Sequence, residues 1–358
     1  ELVGFEIEDL ASKVGGQLKN VGNSSFFLDN VIEHKEKRKT EPFIQYACSA
    51  AKEAIEDSNW EPKNDEESVR TGVLIGSGIG GLDGIRKSSE NLVRGPRKIS
   101  PFFIPSCLIN LASGHISIKY KFKGPNHSVV TACASGAHAI GDSCRLIMLD
   151  DADVMIAGGT EAACTRFGIG GFSAMKALST KFNSEPEKAS RPWDKDRDGF
   201  VLSEGAGILV LEELEHAKAR SAKIYCEVKG YGLSGDGYHP TAPAPDGSGG
   251  LRAMRMALKN ANLNPADIDY INAHGTSTPL GDEIEFNAVK SLFKNNLNGL
   301  TMSSTKSSTG HLLGASGAIE AIFSILSIKN DLAPPTLNLE NLSEDCRDIN
   351  LVPRISID

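Results

Sequence analysis

The sequence predicts an α/β layer fold, and three of its features do so. Aliphatic runs at Thr71–Ile75, Asp153–Ala157 and Gly207–Leu211 read as buried strands, the first two leading into glycine-rich turns. Stretches between them repeat apolar residues every three to four positions, the spacing of a helix packed on one face. Strand, turn, helix and strand therefore follow one another as in layered α/β domains. The 358 residues, 40% hydrophobic and 23% charged, suffice for one large or two medium globular domains and exclude disordered and fibrous classes. A net charge of -8 argues against a general nucleic-acid binder, yet leaves room for a local basic patch that receives an acidic partner. No apolar run is long enough to span a bilayer, and no signal-peptide pattern opens the chain. Its 7 cysteines show neither a paired CxxC nor a Cys/His ligand spacing, so free thiols of a reducing compartment are expected and no metal site.

In chain order, Phe43, Ile44, Ala47, Ala51 and Ile55 mark one face of a helix. Its leading end is basic, with Lys35, Lys37, Arg38 and Lys39, which reads first as a solvated face. The strand at Thr71–Ile75 runs into Gly76-Ser77-Gly78-Ile79-Gly80-Gly81, the G-x-G-x-x-G spacing of dinucleotide sites. Those sites need an acidic residue about 20 positions on. Here the basic, proline-bounded loop Arg94–Pro101 stands instead, so the glycines read as a tight turn under close packing. The β-branched run Ser128–Thr131 is expected to be a buried strand, followed by the small residues Ala132–Gly136 and a helix carrying Ala137, Ile140, Cys144 and Ile147. Cys133 then falls at a strand-to-helix turn, where the helix dipole and free N–H groups favour thiolate over thiol. A packing role is the alternative.

Beyond Gly158–Glu161, the charged loop Ser190–Phe200 leads to the Gly207–Leu211 strand and a helix from Glu212 to Arg220. A boundary is expected there, giving halves 1–215 and 216–358, with a strand at Lys223–Val228 opening the second. No internal repeat is visible. The strand Ile268–Asn272 delivers His274, Thr276 and Thr278 to its C-terminal end, where ligands sit in open α/β sheets. Thr301–Ser304 leads likewise to Lys306 and His311, and a small-residue helix, Leu312–Leu326, carries Glu320. Two histidines at such junctions, with a thiol at a third, are either structural or the makings of a nucleophile site.

Four segments, TACASGAHAIGDS, SRPWDKDRDGFVLSEGAG, INAHGTSTPLGD and KSSTGHLLGASGAIEA, stand in the order and at the intervals of one family. Over nearly its whole length the chain resembles β-ketoacyl-acyl-carrier-protein synthases of the elongating class. The resemblance implies the thiolase fold, a duplicated α/β/α unit giving αβαβα layers with mixed sheets, normally as a homodimer. It implies decarboxylative Claisen condensation of an acyl-enzyme with malonyl-acyl-carrier protein, giving 3-oxoacyl-acyl-carrier protein in fatty acid elongation. Cys133 would be acylated, His274 and His311 would complete a Cys-His-His triad, and Lys306 and Glu320 would form a supporting charged pair. Ile79 and Phe172 match acyl-pocket positions, and Thr276 and Thr278 match hydroxyls that hold the phosphopantetheine arm. Lys35, Arg38, Lys39, Arg97, Lys98 and Lys176 fall where the family meets its acidic acyl carrier protein. No bound cofactor is implied, because substrates ride on the carrier's phosphopantetheine. A cytoplasmic bacterial enzyme is expected, with an organellar one as the alternative.

The implied chemistry suits these residue types. A cysteine accepting an acyl group from a thioester needs a thiolate and room. Neutral imidazoles donating N–H bonds to a thioester oxygen stabilise the enolate formed as carbon dioxide leaves. A cation at Lys306 would disfavour imidazolium. Two other readings stay open: a polyketide-type ketosynthase, and a non-catalytic carrier-protein-binding subunit, which the presence of Cys133, His274 and His311 together disfavours. The family's opening VVVTGxG strand and closing GFGGTN segment are not in this sequence. The chain is therefore expected to be a fragment, poorly soluble and slow, with one of two oxyanion donors missing.

Overall fold

A computed structural model describes residues 2–18, 32 and 34–357; Glu33, beside the basic stretch, lies outside them. The elements that build the site are, in chain order, α1 (Pro42–Ser58), β1 (Thr71–Gly76), α2 (Leu82–Val93), α3 (Leu111–Tyr120), β2 (Asn126–His127), α4 (Ser135–Met148) and β3 (Val154–Glu161). They continue with α5 (Arg166–Ala174), β4 (Gly205–Glu212), α6 (Ser248–Ala261), β5 (Tyr270–Asn272), α7 (Pro279–Phe293), β6 (Thr301–Ser303) and α8 (Ser316–Asn330). In α1 the five apolar positions read from the sequence are all buried, proline opens the helix where its missing N–H costs nothing, and left-handed Asn59 closes it.

The larger sheet has the order β2-β1-β3-β4, with β1 parallel to β2 and β3, and β4 antiparallel to β3. Strand β3 lies inside that sheet and is buried along its whole length, so it reads as small and aliphatic residues without alternation. Helices α1 and α3 cover one face of the sheet, and α4 and α8 cover the other. Beyond α8 comes the second sheet, β5 parallel to β6. Its far side is closed by α7, whose Phe286, Val289 and Phe293 share a core with Ile271 and Met302. The result is the expected five-layer αβαβα stack of the thiolase fold, with α4 and α8 as the shared middle layer.

Three local expectations are corrected. Ser128–Thr131 is not a strand: β2 pairs with β1 only through Asn126 and His127, and the Thr131 N–H is donated to Ser135 Oγ instead of a neighbouring strand. Lys223–Val228 is not a strand either, since no ladder partner flanks it among the described residues. An internal repeat does exist. Ala134–Ala137 and Ala315–Ala318 both spell ASGA. Each follows a residue in the left-handed region, Ala132 at φ 51° and Leu313 at φ 47°, and each opens one of the middle helices through a single 3-10 turn. The two copies face each other. A Cβ added at Gly136 would lie 2.8 Å from the Ala318 nitrogen, and one at Gly317 would lie 2.7 Å from the Ala137 nitrogen. Glycine is what allows α4 and α8 to meet backbone to backbone.

Candidate active site

Because α4 and α8 begin side by side, the turns preceding them converge. Cys133, on the 3-10 turn ahead of α4, places Sγ 3.0 Å from His311 Nε2. The His274 and His311 rings lie 5.1 Å apart and nearly perpendicular, and ligating atoms of all three residues fall within 4.8 Å of one another. His274 follows β5, and its loop is fixed from below by the Glu285 carboxylate, which accepts the N–H groups of His274 and Gly275, each at 2.7 Å.

The proton on His311 can be assigned from its partners. Leu313 N–H is donated to Nδ1 at 3.3 Å, and Ser316 Oγ lies 2.9 Å from the same atom. A nitrogen that accepts an N–H bond carries no proton of its own, so the proton is on Nε2, facing the sulfur. His311 is therefore an N–H donor toward Cys133. The three groups are also close enough to share a metal ion. With Nε2 protonated, however, the arrangement suits an oxygen or sulfur acceptor better than a cation.

Lys306 is 1% exposed and forms an ion pair with Glu320. Burial, then the neighbouring His274 and Lys306, hold His311 well below the ordinary histidine range. Burial of the ring among its neighbours and then Lys306 push His274 the same way, although the residue as a whole is exposed to solvent. Burial raises the Glu320 carboxyl against the pull of Lys306. The thiol departs from expectation. Burial pushes Cys133 up to about 11, with Lys306 as the main opposing influence. Desolvation works against the helix dipole here: Cys133 sits in the 3-10 turn ahead of α4 and packs against an apolar cluster, so the cost of burying a thiolate outweighs the dipole.

That cluster also holds Ile79 and Phe172, with Phe200 and Leu313. Phe172 stacks edge-on to Phe200 at 5.5 Å, and Phe200 to His311 at 5.2 Å. A cavity of about 860 Å³ opens nearby, lined by Phe5, Leu10, Cys164 and Phe167 among others, but Cys133 is not part of its wall. Thr276 and Thr278 bring their hydroxyls within 3.1 Å of each other, beside His274. Among the basic residues, Lys35, Arg38, Arg97 and Lys98 are exposed, while Lys39 is paired with Glu36 and lies over the Phe102 ring. The last contact brings Lys39, just after the turn His34–Lys37, against Phe102, just after the loop that carries Arg97 and Lys98. Lys176 is exposed after α5, which packs on α2.

Sequence reasoning missed Glu285, Ser316 and Glu161, all of which hold the site without reaching into it. Glu161 had one signal: a lone charge at the end of a strand made of small and aliphatic residues.

A thiol facing an imidazole N–H donor, with a second imidazole beside it and a charged pair behind, is equipped for thioester chemistry on a thiolase-type scaffold. Residues 5–217 match the β-ketoacyl synthase N-terminal domain and residues 225–340 the C-terminal domain, and the chain belongs to the β-ketoacyl synthase family. It is 59% identical over 355 residues to a 3-oxoacyl-[acyl-carrier-protein] synthase 2 of Rhizobium meliloti, covering 98% of this chain and 84% of that one. It is 52% identical over 340 residues to a mitochondrial 3-oxoacyl-[acyl-carrier-protein] synthase of Arabidopsis thaliana, covering 94% and 73%. In structure it is similar to a type II polyketide ketosynthase solved in complex with its acyl-carrier protein, at TM-score 0.88 and 33% identity, covering 99% of this chain and 85% of that one.

Proposed function

We infer that this protein condenses an acyl-enzyme with malonyl-acyl-carrier protein in fatty acid elongation. The observation that carries this reading is the 3.0 Å approach of His311 Nε2, the nitrogen to which the Leu313 N–H bond at Nδ1 assigns the proton, to the Cys133 sulfur. In the first half-reaction Cys133 Sγ bonds to the acyl carbonyl carbon, the carrier's thioester C–S bond breaks, and the thiol proton ends on the departing phosphopantetheine. The His311 N–H donated to sulfur favours the thiolate that burial disfavours. In the second, the malonyl C–C bond breaks, carbon dioxide leaves with its oxygens, and negative charge collects on the thioester oxygen. Two neutral imidazoles, at His274 and His311, stabilise it by N–H donation. The carbanion carbon then bonds to the acyl carbonyl, the Cys133 S–C bond breaks, and 3-oxoacyl-carrier protein departs.

Lys306 and Glu320 support the pair of histidines, Ile79 and Phe172 wall the acyl chain, and Thr276 and Thr278 hold the phosphopantetheine arm. Lys35, Arg38, Lys39, Arg97, Lys98 and Lys176 receive the acidic carrier protein. The enzyme works as a homodimer in the bacterial cytoplasm; the likeness to a mitochondrial relative keeps an organelle as the alternative site. No helix among the described residues is long and apolar enough to cross a membrane. Mass spectrometry after acyl-carrier protein, then malonyl-carrier protein, tests the reading: a Cys133 acyl adduct should form and then be discharged. The Cys133→Gln variant should lose condensation yet keep malonyl decarboxylation. Loss of both activities in the folded variant would sink this division of labour.

A further inference from the structure

Glu161, the last residue of β3, is 0% exposed and has no cationic partner among the described residues. Its carboxylate instead collects five donors. Oε1 accepts from Ser77 Oγ–H at 2.9 Å, Ile79 N–H at 3.2 Å and Gly80 N–H at 3.3 Å. Oε2 accepts from Gly78 N–H at 2.8 Å and Gly314 N–H at 3.1 Å. Four of these donors belong to the turn that carries Ile79. The fifth belongs to the turn after His311, one residue beyond the Leu313 N–H that fixes the His311 proton.

The two turns touch only because both are made of glycine at the contact: a Cβ on Gly314 would lie 2.3 Å from the Gly78 nitrogen, and one on Gly78 would lie 2.8 Å from Glu161 Oε2. Leu313 is held at φ 47°, a conformation that a leucine keeps only when its surroundings impose it. The Gly314 N–H bond to Glu161 is part of what imposes it.

We propose that Glu161 is a positioning residue that ties the acyl-pocket wall at Ile79 to the proton position on His311. The catalytic consequence rests on the condensing reading given above; the geometric one does not. A carboxylate is required because all five partners donate, and an amide would turn one oxygen into a donor facing other donors. Releasing Gly314 frees Leu313 from its strained conformation, withdraws its N–H from Nδ1 and lets the proton move there from Nε2. Releasing Ile79 changes the wall that an acyl chain meets. One substitution should therefore move two separate properties.

The test uses the full chain with Glu161→Gln and the milder Ser77→Ala, which removes one donor to Glu161 and the 3.2 Å acceptor of the Gly80 N–H but keeps the Gly78, Ile79 and Gly314 N–H bonds to the carboxylate. Nitrogen-15 NMR of histidine-labelled protein, with His311→Asn assigning the signal, reads the tautomer. Rates with a short and a long acyl-carrier substrate read the wall. Glu161→Gln should convert part of His311 to the Nδ1–H form, change the ratio of rates for long over short chains, and lower kcat at least about tenfold with less effect on KM. Ser77→Ala should shift the same readouts in the same direction by less. Folded variants with an unchanged His311 tautomer would overturn the proposal, as would a changed tautomer with an unchanged chain-length ratio. If the wild-type protein does not condense at all, the functional reading falls, while the histidine spectrum still decides whether Glu161 sets the proton.

Discussion

Lys306 faces His274, His311 and Glu320 from a position 1% exposed to solvent. Its charge helps keep both histidines neutral, which is the form that donates an N–H while still carrying no charge. Because the folded histidines refuse protons that an unfolded chain accepts below its ordinary value of 6.5, this contribution to stability is present above that pH and is lost on acidification. Malonyl decarboxylation should accordingly show no break near 6.5 in the wild type, whereas Lys306→Met should move its acid limb upward; superimposable pH-rate profiles would contradict this. The same substitution strands the Glu320 carboxylate and should cost about 3–5 kcal/mol in a urea melt, with Lys306→Met/Glu320→Gln recovering much of the loss. For Cys133, pushed up to about 11, alkylation by iodoacetamide should keep accelerating from pH 7 to about 10 and not level off near neutrality. A plateau at pH 7 would restore the low-pKa thiol. That Cys133, His274 and His311 stand at chain turns able to converge was legible from their motifs; the direction of the thiol shift was not, because burial by Ile79, Phe172 and Phe200 depends on contacts remote in sequence.

At the level of elements, the contact between α4 and α8 sets the distance between nucleophile and histidine. Gly317→Ala would drive a methyl to 2.7 Å from the Ala137 nitrogen, and only separation of the helices relieves it. We expect a loss of about 1–3 kcal/mol in stability, and about a hundredfold in condensation if the turns part by an ångström. Thermal melts and rates on the same sample check both; wild-type values would show that the helices tolerate a wider gap. The basic region is a second element-scale case. Arg38→Glu or Lys98→Glu should slow reaction with carrier-linked substrate, most at low salt, and leave a pantetheine-linked one unaffected. Equal losses on both substrates would place these residues in folding. Helices were readable because their periodicity reports burial directly, and inner strands because an unbroken aliphatic run does so without any alternation. Ser128–Thr131 and Lys223–Val228 misled because a β-branched composition describes a strand's fitness, while a strand exists only where a neighbour supplies the ladder.

Across the whole molecule, β2 ends the larger sheet with both residues exposed, and Phe102, Ile104, Leu108 and Ile118 add exposed apolar surface on elements near it. A second copy covering this face should give a dimer in sedimentation and a Tm that rises with protein concentration. A monomer at all concentrations would count against the homodimer. The layered architecture was legible from strand and helix order and its duplication from the family resemblance, but the residues that repeat were not, since ASGA is only four letters long and its flanks differ. The duplication places Gly314 where the first copy has Cys133. A side chain there would meet the Gly78 backbone at 2.3 Å and the Glu161 carboxylate at 2.9 Å. The two matched positions thus do not have exchangeable fates: a thiol at the second would dismantle the contact that Gly314 makes with Gly78 and Glu161. The pseudo-symmetry of the scaffold is thereby broken by steric exclusion, which leaves room for a nucleophile at only one of its two matched turns.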